Sequence, residues 1–187
     1  MILATNNKGK LEEIRKILNE YEIHSLKDRN INIDVEEDKD TFLENARKKA
    51  IEIYEVAKEE TLADDSGLCI NCLDGFPGVM THRFLGDDKT DEERNEYLIN
   101  EVNKHDDRSA KVVCNLVYYD GKQEIIGEGI LKGFISTEKR GSNGFGFDEI
   151  FELPNGLTLA ELTPNEKNKI SARALAIKDL KRKLNKK

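Results

Sequence analysis

Nothing in this sequence approaches the ~20 consecutive apolar residues that a membrane-spanning helix requires. The longest uncharged strand-like run is Val112 to Tyr119. The opening Met1-Ile2-Leu3-Ala4-Thr5-Asn6 turns polar at once and lacks the features of a secretory signal. These absences point to a soluble, cytoplasmic protein with no membrane partner. Cysteine is scarce as well. Cys69, Cys72 and Cys114 are too few, and odd in number, for a disulfide framework. Cys69 and Cys72 resemble half of a redox or zinc motif, but no second pair completes a zinc site. They fall in a strand pattern, where a separation of three sends side chains to opposite faces, so core packing is expected. An excess of positive charge is also missing. With a net charge of −7, the chain lacks the field that draws nucleic acids non-specifically. No nucleic-acid partner is expected, and an anionic ligand would have to be captured by local Lys and Arg or by a metal. There is no repeat and no low-complexity segment. The phosphate-loop pattern G-x-x-x-x-G-K is absent. Gly127, Gly129 and Gly133 do not meet the dinucleotide fingerprint, and their strand setting suggests bends or close backbone approach.

What is present suits one globular domain over residues 1–187. Hydrophobic residues make up 37% and charged residues 36%, so a real core sits under a heavily charged surface. The pattern alternates strands and helices. A short strand, Met1 to Ala4, is followed by the polar stretch Thr5-Asn6-Asn7-Lys8-Gly9-Lys10, and then Leu11, Ile14, Ile17 and Leu18 repeat at helical spacing. A helix start with free N–H groups and lysines beside it suits phosphate. Glu22 to Leu26 reads as a strand, and Lys27 to Asp40 as an acidic loop. Thr41 and Glu44 form a capping pair for a helix whose face carries Phe42, Ala46, Ala50, Ile53 and Ala57. After the turn Asp74 to Gly78, Thr90 to Glu93 opens a helix with Tyr97, Leu98 and Val102 inward. Ser109–Tyr119 and Ile125–Ile135 form a hairpin around Asp120-Gly121. Ile150–Leu153 and Thr158–Leu162 read as short strands. Thr163-Pro164-Asn165-Glu166 opens a final helix carrying Lys167, Ile170, Arg173, Ala174, Ile177 and Leu184.

Two stretches carry chemistry. The first is Ala63-Asp64-Asp65-Ser66-Gly67. Adjacent carboxylates at the mouth of a buried strand lose hydration and repel each other, so one is expected to be pushed toward protonation unless a cation sits between them. Gly67 would allow a tight turn that brings Asp65 and Ser66 to a ligand. One or two carboxylates with phosphate oxygens and water make a common Mg²⁺ site. Asp65-Ser66-Gly67 also matches the aspartic-protease triplet, but that chemistry needs two such aspartates and the chain has one copy. The second stretch is Arg140 to Asp148, where Gly144 and Gly146 flank Phe145 and would present its ring for stacking on a base.

Taken in order, the motifs resemble those of the inosine/xanthosine triphosphate pyrophosphatase family. Thr5, Asn7 and Lys10 match its Thr-x-Asn-x-x-Lys phosphate loop. Thr41 to Ala46, Ala63 to Leu68, Gly75 to Gly78, Phe145 to Asp148, and Glu166-Lys167 through Ile170-Ser171 and Arg173 match its later motifs. The chain departs at Ala172, where the family usually has His. The resemblance implies an α/β fold with a long mixed central sheet flanked by helices, two lobes with a nucleotide cleft between them, and a homodimer. It implies hydrolysis of a non-standard purine nucleoside triphosphate (ITP, dITP or XTP) to monophosphate and pyrophosphate. Asp65 would be the catalytic residue, with Mg²⁺ held by Asp65 and Glu36. Thr5, Asn6, Asn7, Lys8, Gly9, Lys10 and Ser66 would bind phosphates. Phe145, Gly146, Phe147, Asp148, Lys167, Ala172 and Arg173 would bind the base: Phe145 by stacking, Asp148 by accepting from purine N1–H, and Lys167 and Arg173 by donating to the 6-oxo group. Two other readings compete: a pyrophosphatase for modified pyrimidine nucleotides, and a non-catalytic nucleotide- or RNA-binding module.

Overall fold

The computed structural model describes residues 1–86 and 88–185. The chain forms two compact units. One comprises Met1–Ser66, Cys114–Gly129 and Ala172–Lys187; the other comprises Gly67–Val113 and Ile130–Ser171.

The first unit opens with β1 (Ile2–Leu3), α1 (Lys8–Ile17), β2 (His24–Ser25) and α2 (Phe42–Ala57). It then takes in the start of β3 (Thr61–Ile70), the end of β4 (Ser109–Tyr119), the start of β5 (Glu124–Ile135) and α5 (Ala172–Leu184). β1 runs parallel to both β2 and β3, with Ile2 opposite His24 on one side and Thr61 on the other. The chain therefore leaves β1 toward one neighbour and later returns on its other side. Open α/β sheets take ligands at such switch points. α1 begins there. Asn7 is its N-cap and accepts from the Lys10 backbone N–H at 3.1 Å. Lys8, Gly9 and Lys10 thus form the first helical turn, where the pattern suggested loop. That turn holds no acidic residue, so the positive end of the helix is left uncompensated.

α2 starts at Thr41, whose hydroxyl accepts from the Glu44 N–H at 3.2 Å. Ala46, Ala50 and Ile53 pack with Ile2, Ala4, Leu26, Ala63 and Val117. Asn45 and Lys49 are buried on the same helix. On β5, Gly127 and Gly129 let the backbone of α5 come close. A Cβ on Gly129 would lie far inside contact distance of the Ala172 carbonyl oxygen, and one on Gly127 would meet that of Ala176. Gly129→Ala is expected to destabilise the protein by ~1–3 kcal/mol through overpacking. Urea unfolding reads this directly, and an unchanged midpoint would contradict the close approach.

The second unit contains the remainder of β3, β4 and β5 with α3 (Asp91–Val102), β6 (Phe151–Glu152) and α4 (Pro164–Ile170). β5 pairs antiparallel with β6, Phe134 facing Glu152. The strand order is β2-β1-β3-β4-β5-β6, a mixed sheet as expected. Leu68, Ile70, Leu98, Val102, Ile135, Ile150 and Phe151 are buried. Among the described residues, no helix is long and apolar enough to cross a membrane.

Four expectations change. β3 runs straight through Gly67, because Leu68 to Ile70 continue the strand, so the acidic pair sits inside a strand and not at a turn. Tyr97 is exposed: Leu98 and Val102 already fill the inward face of α3. Thr158–Leu162 is not a strand. Thr158 and Glu161 close a capping box that winds Leu159–Glu161 into a 3-10 turn. The final helix is two helices, broken at Ser171 with ψ 153. No Gly or Pro marks the break. Each half is tied by a different buried ion pair, Lys167 to Asp148 and Arg173 to Asp64.

Candidate active site

In the first unit, Asp64, Asp65 and Ser66 are all buried on β3. Asp64 Oδ2 faces Lys10 Nζ at 3.2 Å and accepts from Arg173 Nε at 3.2 Å and Nη2 at 3.0 Å. Arg173 also donates to Ser66 Oγ at 3.0 Å and to Glu13 Oε2. Lys49 Nζ donates to the Asp64 carbonyl at 2.5 Å and to Glu37 Oε1. Asp65 Oδ2 accepts from Asn45 Nδ2 at 3.0 Å, and its Oδ1 from the Ser66 N–H at 2.8 Å. Asp64 Oδ1 is buried and, among the described residues, has no hydrogen-bond partner.

The balance of charge explains the protonation of this cluster. Lys10, Lys49 and Arg173 face Glu13, Glu37, Asp64 and Asp65, so one carboxylate has no cation of its own. Burial opposes ionisation of Asp64, but Lys10, Arg173 and Lys49 outweigh it and hold the carboxyl well below its usual range. Burial likewise opposes the charge of Lys49, yet Asp64, Asp65 and Glu37 raise its pKa. Asp65 is the carboxylate left over. Burial, with repulsion from Glu37, prevails over Lys49, Lys10 and the Asn45 hydrogen bond and pushes it up to about 6. A carboxyl poised near neutrality in a polar cluster suits proton transfer. The surplus carboxylate and the unsatisfied Asp64 Oδ1 both fit a cation. Among the described residues no three His, Cys, Asp or Glu side chains converge on a metal position. An ion here would draw only one or two carboxylates from the protein and the rest from water and phosphate, the usual manner of Mg²⁺.

The second unit holds the Phe145 loop. Asp148, buried after β5, accepts from the Phe145 N–H at 2.8 Å and from Lys167 Nζ. Lys167 Nζ lies 4.5 Å from the centroid of the Phe145 ring, a cation–π contact that covers one face of the ring. Gly146 adopts φ 64, in the region that favours glycine. A cavity of about 370 Å³ opens beside the loop between Asp91, Asn95, Lys139, Asn143 and Phe145.

A family model described as the Ham1 family matches residues 1–183. The chain belongs to the Ham1 family. Proteins named dITP/XTP pyrophosphatase resemble it over most of its length. That of Aquifex aeolicus (strain VF5) is 42% identical over 191 residues, covering 96% of this chain and 94% of that protein. That of Clostridium perfringens (strain 13 / Type A) is 42% identical over 192 residues with the same coverage. The structure of the Staphylococcus aureus Ham1 protein superposes with a TM-score of 0.89 at 34% identity, covering 99% of this chain and 97% of that one.

For this Ham1 chain the fold brings together Lys10, Asp64, Asp65, Ser66 and Arg173. Thr5 accepts from the Asn7 N–H at 3.1 Å, Asn6 reaches Asp34 at 3.3 Å, and Lys8 is exposed at the helix start. Phe145, Gly146, Phe147 and Asp148 form one loop with Lys167 against it. Arg173, in the first unit, donates to Asp64, Glu13 and Ser66. Ala172 is buried, its carbonyl against Gly129. Glu36 is exposed; its carbonyl accepts from Lys48 Nζ at 2.9 Å, and, after Asp38, its carboxylate helps raise the pKa of Lys48. Its neighbour Glu37 acts on Lys49 and Asp65. Glu13, Glu37, Asn45 and Lys49 were not anticipated in the cluster. Asn45 and Lys49 left a signal: two polar residues one turn apart on an otherwise apolar helix face.

Proposed function

We propose that this chain hydrolyses dITP, ITP and XTP between the α- and β-phosphates, releasing the monophosphate and pyrophosphate and so clearing deaminated purines from the nucleotide pool. The observation that carries the reading is Asp65, a buried carboxyl poised near neutrality beside Lys10, Lys49 and the start of α1. The names of the Aquifex and Clostridium relatives supply the purine class.

The triphosphate enters with about four negative charges that must be neutralised and held in line. Lys10, the N–H groups of the first turn of α1 and the Ser66 hydroxyl bind its oxygens. Arg173 holds Asp64 and Ser66 in place from behind. Ionised Asp65 takes a proton from the attacking water as the α–β phosphoanhydride bond breaks and pyrophosphate leaves. Asn45 orients the Asp65 carboxylate for that transfer. Asp65 and the Glu36–Glu37 segment would hold Mg²⁺, beside the open Asp64 Oδ1. When bound, the ion neutralises phosphate charge and activates water.

The base stacks on Phe145, taking the face over which Lys167 Nζ lies when no base is bound and moving that ammonium to the edge of the base. Asp148 accepts from purine N1–H and Lys167 donates to the 6-oxo group. Adenine presents an amino donor there and has no N1–H, so it leaves both protein groups mismatched.

Two tests follow. Pyrophosphate release is measured from dITP, XTP, dATP and dGTP, with Mg²⁺ and after metal removal with EDTA. Turnover of dITP and XTP is expected with Mg²⁺ only. Full turnover in verified metal-free protein removes the ion from the reading, and equal turnover of dATP removes the base logic. Carboxyl ¹³C shifts of the metal-free protein are expected to place the midpoint of Asp65 at about 6. A midpoint in the ordinary carboxylate range would remove Asp65 as a near-neutral base.

A further inference from the structure

α3 grips the Phe145 loop at one residue, Gly146. Asp91, its first residue, accepts from the Gly146 N–H through Oδ2 at 3.1 Å. Asn95, one turn later, donates through Nδ2 to the Gly146 carbonyl at 2.9 Å. Residues four apart share a helix face, so the two side chains grip both polar groups of one glycine. Asn95 is buried, at 3% exposure, which is unusual for an amide unless it is bonded. The grip is itself anchored. Arg94, also buried, donates to the carbonyls of Phe84 at 3.0 Å, Lys89 at 2.5 Å and Gly86 at 2.6 Å. It ties the start of α3 to the segment leading into it. On the loop side, Asn143 Nδ2 donates to the Leu162 carbonyl at 2.9 Å, and the Asp148 carbonyl accepts from the Ala160 N–H at 3.0 Å.

Gly146 is the weak point of the loop. It holds a positive φ, and among the described residues no atom beyond its chain neighbours lies within 4 Å of where a Cβ would be, so no contact on that side resists a change in its backbone. Rotation of its peptide groups would swing the Phe145 ring on one side and Phe147-Asp148 on the other. The Asp91–Asn95 pair is what opposes that rotation from outside the loop.

We infer that Asn95, with Asp91, is a positioning residue for base recognition: it fixes the Gly146 peptide so that Phe145 and Asp148 meet a purine base in one geometry. This rests on the reading of Phe145–Asp148 as the base loop. The pair bonds the loop backbone and includes none of the groups assigned to the phosphates or to proton transfer, so its loss should act on KM and base preference and leave kcat nearly unchanged.

The test uses full-length protein and four variants, with kcat and KM for dITP and dATP. Asn95→Asp keeps size but replaces the donor with an acceptor facing a carbonyl. Asp91→Ala removes the acceptor, and Asp91→Asn retains an amide oxygen that can accept the same N–H. One neutral hydrogen bond corresponds to roughly 3- to 10-fold. KM for dITP is expected to rise by that factor or more in Asn95→Asp and Asp91→Ala, with kcat within about threefold and a narrowed preference over dATP, while Asp91→Asn behaves as wild type. If Asn95→Asp does not fold, the two Asp91 variants, at an exposed helix end, decide the matter. Unchanged KM in Asp91→Ala, or equal loss in Asp91→Ala and Asp91→Asn, overturns the inference. Asp148→Asn is measured beside them. If it leaves base preference untouched, the base-loop reading fails and the inference with it. If it shifts preference while the α3 variants do not, only the inference fails.

Discussion

Asp65→Asn is expected to lower kcat for dITP by roughly two to four orders of magnitude, the range typical of a lost general base. It is also expected to raise the stability of the fold at pH 8. The first effect follows from the proposed role of the carboxylate as proton acceptor. The second follows from its pKa. In the folded chain Asp65 is pushed up to about 6, above the ordinary aspartate value of 3.8, so the fold favours the protonated form. The charged form weakens the fold. That penalty is absent below the ordinary carboxylate pKa, grows as pH rises through the interval, and is complete above 6. A shift of about two units corresponds to an upper bound of ~3 kcal/mol. The amide forgoes part of this, because its NH₂ cannot accept from Ser66 N–H and its oxygen from Asn45 at once. Urea unfolding at pH 5 and pH 8 should show the variant gaining on wild type as pH rises. Retention of more than a tenth of wild-type kcat, or a stability difference that does not move with pH, would refute this account.

Arg173→Ala is expected to cost ~3–5 kcal/mol of stability, the range for removing one partner of a buried ion pair. Asp64 and Glu13 would each lose their guanidinium inside the fold, and Asp64 would keep only Lys10 and the more distant Lys49. Against a typical domain stability of ~5–15 kcal/mol, that is a large share. Arg173→Lys keeps the charge but not the fork that spans Asp64, Glu13 and Ser66, so an intermediate loss is expected. Thermal and urea unfolding of both variants check the order. An alanine variant within about 1 kcal/mol of wild type would show that the cluster does not depend on Arg173.

Much of this could be read along the chain. The strand before Thr5 and the helix after Lys10, the Thr41 cap, the β4–β5 hairpin and the close approach at Gly127 and Gly129 are local signals, and they were legible. So were Asp64 and Asp65 as a costly pair. The assignment of Arg173 was not. Its partners lie 109 and 160 residues away in sequence, and no periodicity encodes which of two acidic sites a cation will choose. The break at Ser171 was hidden for the same reason: two tertiary ion pairs, not a breaker residue, override helix propensity. Asn45 and Lys49 could have been found from their place on an apolar face. Glu37 could not be separated from Glu36, because both stand in one acidic run and only folding selects which carboxylate meets Lys49.

The odd carboxylate of the cluster would also give the protein a form of acid dormancy. If Asp65 is the base, its protonation near pH 6 in the metal-free protein would silence it and, by the same event, relieve the fold of a buried charge. The charge on which the fold leans, that of Asp64, persists to far lower pH. On that proposal a return to neutral pH would restore the base by loss of a single proton, with no refolding of the cluster, so mild acid would act on it as a pause.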